Sequence, residues 1–268
     1  MTDLIFSLVL YKHSLQSFKP LLISLKELAV SQSVFNVKLF IVDNSGALFV
    51  QPSSIQSLLG KVHMNYHVSD NIGFARANNL NFDLSRPANT ALFIVVNPDI
   101  SFEPAGLVSL LRWIMNQSNV SCVSPLIHGK NGSIQMTVKT NPTFLSLLLG
   151  RFSLLRVVPV FASYYRDHIN SHRSYLKEII HCSYLSGCFL IIPAFYYRAV
   201  SGFDDRYFLH LEDADLTRRL SLIGSVLHNP TGAVFHGWDR GSHRSLLQTI
   251  YLFRSYLLYI RKWGFVLY

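Results

Sequence analysis

VKLFIVDNSG at residues 37–46 and ALFIVVNPD at residues 91–99 share one pattern: an apolar run followed at once by polar, turn-forming residues. Short, almost continuous apolar runs are typical of strands buried on both faces of a parallel sheet. Leu4–Tyr11 is a run of the same kind, and Val62–Val68 is a more alternating one. We therefore predict four strands in the first half of the chain.

Helical patterns separate these four strands. Apolar residues recur at helical spacing from Leu15 to Leu28, and a second helix is predicted from about Phe74 to Leu84. Pro104 opens a third helix, because proline is well placed in a first helical turn. Strands alternating with helices predict an α/β fold, with a Rossmann-like, mainly parallel sheet covered by helices on both faces.

The second half of the chain is predicted to be more helical. Its predicted elements are strands near Ser133–Thr140 and Tyr184–Ile192, helices at Ala194–Val200 and Glu212–Ile223, a strand-like piece at Ser225–His228 and a closing helix at about Ser245–Trp263. Neither a low-complexity linker nor an internal repeat divides the sequence. We predict one domain over residues 1–268, whose two halves, 1–128 and 129–268, differ in their pattern of elements.

The composition indicates which kinds of molecule the protein can bind. The sequence has 24 Lys and Arg against 15 Asp and Glu, a formal charge of +9, and half of its residues are hydrophobic. Disorder is excluded by this composition, and the positive charge suits a phosphate-bearing substrate, an acidic lipid surface or nucleic acid. Since the sequence contains no nucleic-acid-binding motif, that last partner is not expected. Three cysteines without C-x-x-C spacing indicate a reducing compartment rather than disulfides or zinc.

Two apolar regions bear on membrane contact. The N-terminal residues lack the basic start and the cleavage site of a signal peptide and instead predict a first strand. Phe144–Tyr165 is the most apolar stretch, but Arg151, Arg156 and Pro159 interrupt it, so it is not expected to span a membrane. The residues alone allow two interpretations: a surface that lies in a membrane interface, or an ordinary core helix with exposed arginines.

Three polar clusters follow predicted strands directly. They are Asp43-Asn44-Ser45, residues 69–79 (SDNIGFARANN) and Asn97-Pro98-Asp99. Ligands of open α/β sheets bind beyond the carboxyl ends of the strands, so all three clusters are expected to face one cleft. In the second cluster, a helix N-terminus with Arg76 close by favours a phosphate group, although Asp70 or Asn71 as a simple helix cap explains part of the pattern equally well.

Asp99 is a candidate metal ligand. The preceding proline ends the strand, and one carboxylate beside a diphosphate is the arrangement in which Mg²⁺ commonly binds. A plain β-turn is the competing interpretation of Asn97-Pro98-Asp99.

A further candidate site lies at residues 202–220, GFDDRYFLHLEDADLTRRL. Glu212, Asp213 and Asp215 begin a predicted helix, where acids complement the helix dipole. Three acids together in an acid-poor chain also suggest that one accepts a proton from a substrate hydroxyl. Asp215 has a second option, an ion pair with Arg218 or Arg219 one turn later.

Residues 234–244, VFHGWDRGSHR, add a basic loop. His236 is a candidate ligand of a metal or a phosphate, and a surface histidine with ordinary hydrogen bonds is the alternative. Arg240, His243 and Arg244 have the charge to neutralise a diphosphate.

Taken in order, these motifs resemble the family 2 glycosyltransferases, and most of all their bacterial rhamnosyltransferase-like branch, which builds O-antigen and related surface glycans. The motifs that carry the resemblance are Asp43-Asn44-Ser45, Asn71 to Asn79, Asn97-Pro98-Asp99-Ile100, Gly187 to Leu190, Gly202-Phe203-Asp204, Phe208 to Arg218 and His236, and they span residues 4–244. Each motif is weak alone, and the order makes the set specific.

The resemblance implies a GT-A fold, a nucleotide-diphosphate sugar donor, Mg²⁺ or Mn²⁺ as cofactor, and inversion at the anomeric carbon. It assigns the nucleotide sugar to the half at 1–128 and the acceptor to the half at 129–268, whose C-terminal helices are expected at the membrane surface. By position, Asp213 corresponds to the catalytic base, beside Glu212. The implied ligand-binding residues are Tyr11, Asp43, Asn71, Gly73, Arg76, Asn78, Asn97 and His236, with Asp99 and His236 at the metal. The family's D-x-D motif begins with Asn97 here, which leaves the implied metal with one carboxylate fewer.

The resemblance further implies transfer of a sugar, with rhamnose from dTDP-rhamnose as the expectation, to a polyprenyl-diphosphate-linked or growing polysaccharide acceptor such as O-antigen. The protein is expected in the cytoplasm, peripheral to the inner face of the cell membrane. Two alternatives are a sugar nucleotidyltransferase, for which residues 11–14 offer no glycine-rich basic loop, and a non-catalytic glycan- or lipid-binding relative, against which Asp99 and Asp213 count.

Overall fold

The computed structural model describes residues 1–237 and 246–268. Its helices are α1 (Leu15–Ser31), α2 (Pro52–Leu59), α3 (Phe74–Ser85), α4 (Pro104–Met115), α5 (Phe144–Arg151), α6 (Pro159–His168), α7 (Ala194–Ala199), α8 (Glu212–Ser221) and α9 (Leu246–Trp263). Its strands are β1 (Thr2–Leu10), β2 (Phe35–Asp43), β3 (His63–Val68), β4 (Leu92–Val96), β5 (Ile100–Ser101), β6 (Val120–Gly129), β7 (Val138–Lys139), β8 (Ile180–Cys182), β9 (Tyr184–Leu185), β10 (Phe189–Pro193) and β11 (Ser225–His236). A 3₁₀ turn at Ser153–Val157 lies between α5 and α6.

One large sheet organises the molecule. Its strand order is β3-β2-β1-β4-β10-β6-β11-β5, with β8 pairing to β11. The strands β3, β2, β1 and β4 are mutually parallel, as are β6 and β11. Antiparallel β10 joins these two parallel groups, because it pairs with both β4 and β6. The predicted mainly parallel α/β fold is confirmed.

The sheet is buried on both faces, as the apolar strands require. One core cluster combines β1 and β2 with apolar residues of α1, α2 and α4, and the other packs the opposite sheet face against α3, α7, α8 and α9. Every residue of β4 is buried. Such strands turn no face to water, which explains why their sequences are not alternating.

Several second-half elements differ from the sequence-based prediction. Of the strand predicted at Ser133–Thr140, only Val138–Lys139 forms, and Tyr184–Ile192 divides into β9 and β10. The piece predicted at Ser225–His228 continues to His236 as β11, which carries His236 to the site. The apolar stretch Phe144–Tyr165 folds as α5, the 3₁₀ turn and most of α6. In the described ranges, none of the helices has the length and hydropathy needed to cross a bilayer.

Candidate active site

The three polar clusters meet at one edge of the sheet. Asp43 pairs with Leu10 at the end of β1, and Leu8 pairs with Val96 at the end of β4. The carboxyl ends of β1, β2 and β4 therefore lie side by side, as expected for a cleft in an open α/β sheet. Asn97 and Asp99 follow β4 at this edge.

Asp43 forms a rigid, buried wall of the cleft. One carboxylate oxygen accepts the Ser45 N–H at 3.0 Å and the Ser45 hydroxyl, and the other accepts the Tyr66 hydroxyl. Burial, together with the hydrogen bond to Asp43, raises the pKa of Tyr66 far above its ordinary value, so Tyr66 stays a donor. Tyr11, which the resemblance also implies as a ligand-binding residue, is half exposed at the end of β1, where its N–H donates to His13 Nδ1 at 3.0 Å.

The second cluster begins α3 under tight packing. Asn71 accepts the Gly73 N–H at 3.3 Å, which shapes the turn before the helix. Gly73 has φ +86° and ψ 169°, a conformation that essentially only glycine adopts. A Cβ at this position would lie 2.7 Å from the backbone oxygen of Phe208. The glycine therefore lets the loop before α8 lie directly on the N-terminus of α3.

Arg76 and Asn78 lie on different faces of α3. Arg76 is exposed, and its Nε donates to the carbonyl of Asp205 at 3.1 Å, beside the loop before α8. Asn78 is fully buried: it accepts the Ser7 hydroxyl at 2.6 Å and donates to the Phe74 carbonyl at 3.0 Å. The sequence-based expectation that Asn78 contacts the nucleotide is therefore replaced by a packing role, since its side chain holds α3 against β1.

Asp99 and His236 contact each other at this edge of the sheet. The antiparallel pairing of β5 and β11 aligns His236 with Ile100, and Gly237 N–H donates to the Asp99 carbonyl at 2.8 Å. This ladder brings His236 Nε2 to 3.3 Å from Asp99 Oδ1. Burial raises the pKa of Asp99, but its hydrogen bond to His236 and the charge of that ring outweigh burial, and the net shift is downward.

Gln135 sets the orientation of the His236 ring. Gln135 Oε1 lies 2.8 Å from His236 Nδ1, and the amide nitrogen at the other end of Gln135 donates to the His236 carbonyl at 3.4 Å. An amide oxygen only accepts, so Nδ1 carries the proton. Nε2 is then the nitrogen that faces Asp99: with a proton it donates to the carboxylate, and without one it can ligate a metal ion, as in histidines that bind metals.

This donor set fits a divalent cation. A carboxylate oxygen and a ring nitrogen with a lone pair face each other, with Asn97 Nδ2 at 3.5 Å from His236 Nε2. A proton or a cation between Asp99 and Nε2 would relieve their mutual repulsion. Within residues 1–237 and 246–268, no group of three or more His, Cys, Asp and Glu side chains is clustered for metal binding. Ions such as Mg²⁺ are commonly held by few protein ligands plus substrate phosphates, which suits a site of this kind.

Glu212 and Asp213 occupy the first turn of α8 in different environments. Glu212 is buried, and burial together with the neighbouring Asp213 charge raises the pKa of Glu212 to about 8. Asp213 is partly exposed, and its two oxygens accept the Gly187 N–H at 2.9 Å and the Ala214 N–H at 2.8 Å. Two donors hold the carboxylate in place and leave further lone pairs for a substrate hydroxyl.

The turn at Gly187 and Cys188 connects Asp213 with the end of β4, where Asn97 and Asp99 lie. Gly187 donates its N–H to Asp213, and the carbonyl of Cys188 accepts the Asn97 N–H at 2.9 Å. A Cβ on Gly187 would lie 3.0 Å from the Asp213 Cβ, so this close approach depends on glycine. Adjacent residues of one turn thus place Asp213 beside the strand end that carries Asn97 and Asp99.

Asp215 has a structural role. It is fully buried and receives hydrogen bonds from Arg219, Lys262 and Trp263 at 2.8 to 3.0 Å. The ion pair with Arg219 confirms one of the two partners expected from sequence. These contacts attach α9 to α8 and exclude Asp215 as a base that reaches substrate.

Three residues near the site were missed by sequence reasoning. Gln135 orients His236, His13 lies near Asp43 and Asp99 with its pKa lowered by burial, and Lys139 faces Asp213. Burial also lowers the pKa of Lys139, whose Nζ lies 4.9 Å from the Tyr184 ring centre. No local motif marks them, because each acts on residues distant in sequence.

Arg240, His243 and Arg244, which were predicted to neutralise a diphosphate, lie outside the described residues.

Comparison with proteins of known structure identifies the fold. No family model matches the chain. The structure resembles GalNAc-T7, solved with UDP, GalNAc and Mn²⁺, with a TM-score of 0.66 and 12% identity, over 98% of this chain and 48% of that one. The fold is that of the GT-A glycosyltransferases.

Two proteins of known activity are similar to this chain in sequence. The chain is 26% identical over 192 residues to the N-acetylglucosaminyl-diphospho-decaprenol L-rhamnosyltransferase of Mycobacterium tuberculosis, covering 68% of this chain and 60% of the relative's length. It is 24% identical over 196 residues to the rhamnosyltransferase WbbL of Escherichia coli K12, covering 69% and 70%. The chain is therefore similar in sequence to proteins named rhamnosyltransferases, which agrees with the resemblance that its motifs carry.

Proposed function

We propose that this protein is an inverting glycosyltransferase that moves a sugar from a nucleotide-diphosphate donor to a lipid-linked or growing surface polysaccharide. The names of its two relatives support rhamnose as the sugar. The donor dTDP-rhamnose and an O-antigen-type product are proposed from the resemblance of the sequence motifs. The observation that carries the proposal is the Gly187–Cys188 turn, which joins Asp213 to the Asn97–Asp99 strand end.

Asp213 is the proposed catalytic base. Its carboxylate is fixed by backbone N–H donors and is open to solvent on the remaining side, so it can accept a proton from an acceptor hydroxyl. The deprotonated oxygen then forms a bond to the anomeric carbon while the bond from that carbon to the diphosphate oxygen breaks. One displacement of this kind inverts the anomeric configuration.

The protonation of Glu212 supports a single displacement. A double displacement needs a second ionised carboxylate that attacks the sugar. Glu212 is buried with its pKa raised to about 8, so it is mostly protonated at neutral pH. It is therefore a poor nucleophile, and Asp213 acts alone in accepting the proton.

Asp99, His236 and Asn97 are the proposed diphosphate side of the site. Asp99 and His236 would hold a divalent cation, which supplies positive charge to the leaving diphosphate when bound. Mn²⁺ suits the set better than Mg²⁺, because one of the two ligands is a nitrogen and Mg²⁺ prefers oxygen. The Phe208 carbonyl takes the Phe74 N–H, so the later N–H groups in the first turn of α3 and the exposed Arg76 would face the phosphates.

The acceptor half has an apolar, basic surface that fits the inner face of a cell membrane. Leu154, Val157 and Val160 are between 66% and 82% exposed at the 3₁₀ turn and the start of α6. Arg156 lies among them, stacked 3.7 Å from the Tyr165 ring centre. Apolar residues interspersed with arginine favour the interface of an anionic membrane, where a polyprenyl-linked acceptor would be held.

A sedimentation experiment tests this surface. We expect the protein to co-sediment with phosphatidylglycerol vesicles, and a Leu154→Ser, Val157→Ser variant to do so less. A matched variant, Val30→Ser with Leu222→Ser, removes two exposed apolar side chains elsewhere and should bind as the wild type does. Equal sedimentation of all three proteins would contradict the proposed membrane face.

A donor screen tests the function itself. Purified protein with Mn²⁺ or Mg²⁺ is incubated with a panel of nucleotide-diphosphate sugars and a polyprenyl-diphosphate-linked saccharide, and released nucleoside diphosphate is measured. We expect release with dTDP-rhamnose and a product of inverted anomeric configuration by NMR. If no donor in the panel releases nucleoside diphosphate and calorimetry detects no nucleotide binding, a transferase function is contradicted.

A further inference from the structure

A cavity lies beside the active site, between the loop before α8 and helix α9. It encloses about 420 Å³. Arg206 and Phe208 line it from the loop, and Tyr251, Arg254, Leu258 and Arg261 line it from α9. The α9 residues recur at spacings of three and four, so they form one face of that helix.

The charge of the cavity is strongly positive. Three of its lining residues are arginines, and Arg206 is paired with Asp204 at 2.7 Å. Arg254 and Arg261 are exposed, and across residues 1–237 and 246–268 neither makes an ion pair with a carboxylate. Guanidinium groups bind phosphate through paired N–H donors, so a surplus of arginine around a concave site favours a phosphate-bearing ligand.

The cavity shares a wall with the active site. The Phe208 ring lies 4.8 Å from the Tyr251 ring, while the Phe208 carbonyl accepts the Phe74 N–H at 3.0 Å, in the first turn of α3. The next carbonyl, of Leu209, accepts the Ser255 hydroxyl at 2.8 Å. The loop that leaves this wall reaches Asp213 after five residues. An anion in the cavity would therefore lie next to the segment that carries the proposed base.

An exposed apolar stripe runs along α9 beside these arginines. Leu246, Ile250, Phe253 and Leu257 are 77%, 48%, 57% and 48% exposed. Their spacing of four, three and four residues keeps them on one side of the helix, and Arg254 and Arg261 flank that side. A ligand that fits both features has an anionic phosphate end and a long apolar chain.

We propose that this cavity, the arginine cavity, binds the diphosphate of an isoprenoid-diphosphate-linked acceptor, with the isoprenoid chain along the α9 stripe. The inference rests on the proposed glycosyltransferase function and assigns its acceptor a subsite. It places the saccharide, which is attached to that diphosphate, against the loop that leads to Asp213.

Direct binding tests the arginine cavity without any donor sugar. Farnesyl diphosphate is titrated into the full chain by calorimetry, with inorganic pyrophosphate and farnesol as partial ligands. We expect the Arg254→Gln, Arg261→Gln variant to bind farnesyl diphosphate at least about tenfold more weakly, from the loss of charged hydrogen bonds. Farnesol binding should not change, and pyrophosphate should bind the wild type more weakly than farnesyl diphosphate does.

A control separates the cavity from general charge. Lys26→Gln with Arg112→Gln removes the same charge from exposed positions on α1 and α4 and should bind farnesyl diphosphate as the wild type does. Equal affinity in all three proteins, or equal weakening in both variants, would overturn the proposal. Loss of phosphatidylglycerol vesicle binding with unchanged farnesyl diphosphate affinity would also overturn it, since the arginines would then bind membrane headgroups.

Kinetics distinguish failure of the subsite from failure of the function. If transfer is observed, the cavity variant should raise the KM for the lipid-diphosphate acceptor about tenfold and leave the KM for the donor unchanged. An unchanged acceptor KM would refute the subsite while the function stands. Specific farnesyl diphosphate binding without transfer from any donor would refute the function while the subsite stands.

Discussion

Gly73→Ala is the perturbation whose effect the structure defines most closely. Gly73 has φ +86° and ψ 169°, and a Cβ there would lie 2.7 Å from the Phe208 oxygen and 2.9 Å from the Phe208 Cδ2. The backbone conformation costs a side-chain-bearing residue about 1–3 kcal/mol. Displacing a backbone oxygen adds about 1–3 kcal/mol, the usual cost of overpacking. We expect a total loss of about 2–6 kcal/mol in the free energy of unfolding.

Gly132→Ala is the matched control for this prediction. Gly132 also has positive φ, +69°, but nothing lies within 4 Å of the position of its Cβ. It should lose only about 1–2 kcal/mol, the cost of the left-handed conformation. The difference between the two variants therefore contains the contact between α3 and the loop before α8, together with the extra backbone cost at Gly73.

Urea unfolding and nucleotide binding together provide the assay. We expect Gly73→Ala to have the lower unfolding midpoint and weaker nucleotide binding, because the loop moves away from the N-terminus of α3. Gly132→Ala should bind nucleotide normally. Equal loss of stability in the two variants, with nucleotide binding intact in both, would refute the packing argument.

Three further predictions follow from the site and its supports. Gln135→Ala should weaken activation by Mn²⁺ about 10–100-fold, because the His236 ring loses its orientation, whereas Gln117→Ala on the surface should not. Titration of activity with Mn²⁺ measures this, and equal titration curves for the two variants would contradict it. Between pH 4.5 and about 8 the folded state keeps the Glu212 proton that the unfolded state has released, so stability should fall as the pH rises through this range. Thermal unfolding should show a smaller fall for Glu212→Gln, and an equal fall in the variant and the wild type would contradict the prediction. Asp215→Asn should cost about 3–5 kcal/mol in urea unfolding, because it removes the fully buried carboxylate that pairs with the mostly buried Arg219. Asp3→Asn, at a pair in which both side chains are partly exposed, should cost about 1 kcal/mol or less, and similar losses in the two variants would count against the α8–α9 attachment.

The first half of the fold was predictable because its strands are uniformly apolar. The predicted Val37–Val42 and Ala91–Val96 lie within or nearly coincide with β2 and β4. Helix α2 was missed, since only Ile55 and Leu59 are buried in its eight residues. Two buried residues in so short a segment do not establish a helical period.

Strand β6 was missed for a different reason. It contains Pro125, and proline within an apolar run argues against a central strand. In the structure, the register of β11 shifts between His228, opposite Ser124, and Ala233, opposite Leu126. Pro125 therefore lies where the ladder is already interrupted, and this compensation comes from a segment more than 100 residues away.

The site was predictable where strand ends determine it. Asp43, Asn97 and Asp99 follow strands, so their meeting at one edge was expected from topology. The burial of Asn78 depends on Ser7, and the orientation of His236 depends on Gln135. Such contacts join residues 71 and 101 positions apart and leave no trace in local sequence.

The most direct test of the account is the turnover of Asp213→Asn, measured as nucleoside diphosphate release in the presence of acceptor. The substitution keeps the size of the side chain and removes its basicity, and Asp83→Asn at the far end of α3 is the matched control. We predict that Asp213→Asn loses at least about a hundredfold in kcat, the usual contribution of a general base, while its affinity for the donor by calorimetry stays at the wild-type value. Wild-type turnover by Asp213→Asn with intact donor binding would contradict the assignment of Asp213 as the base.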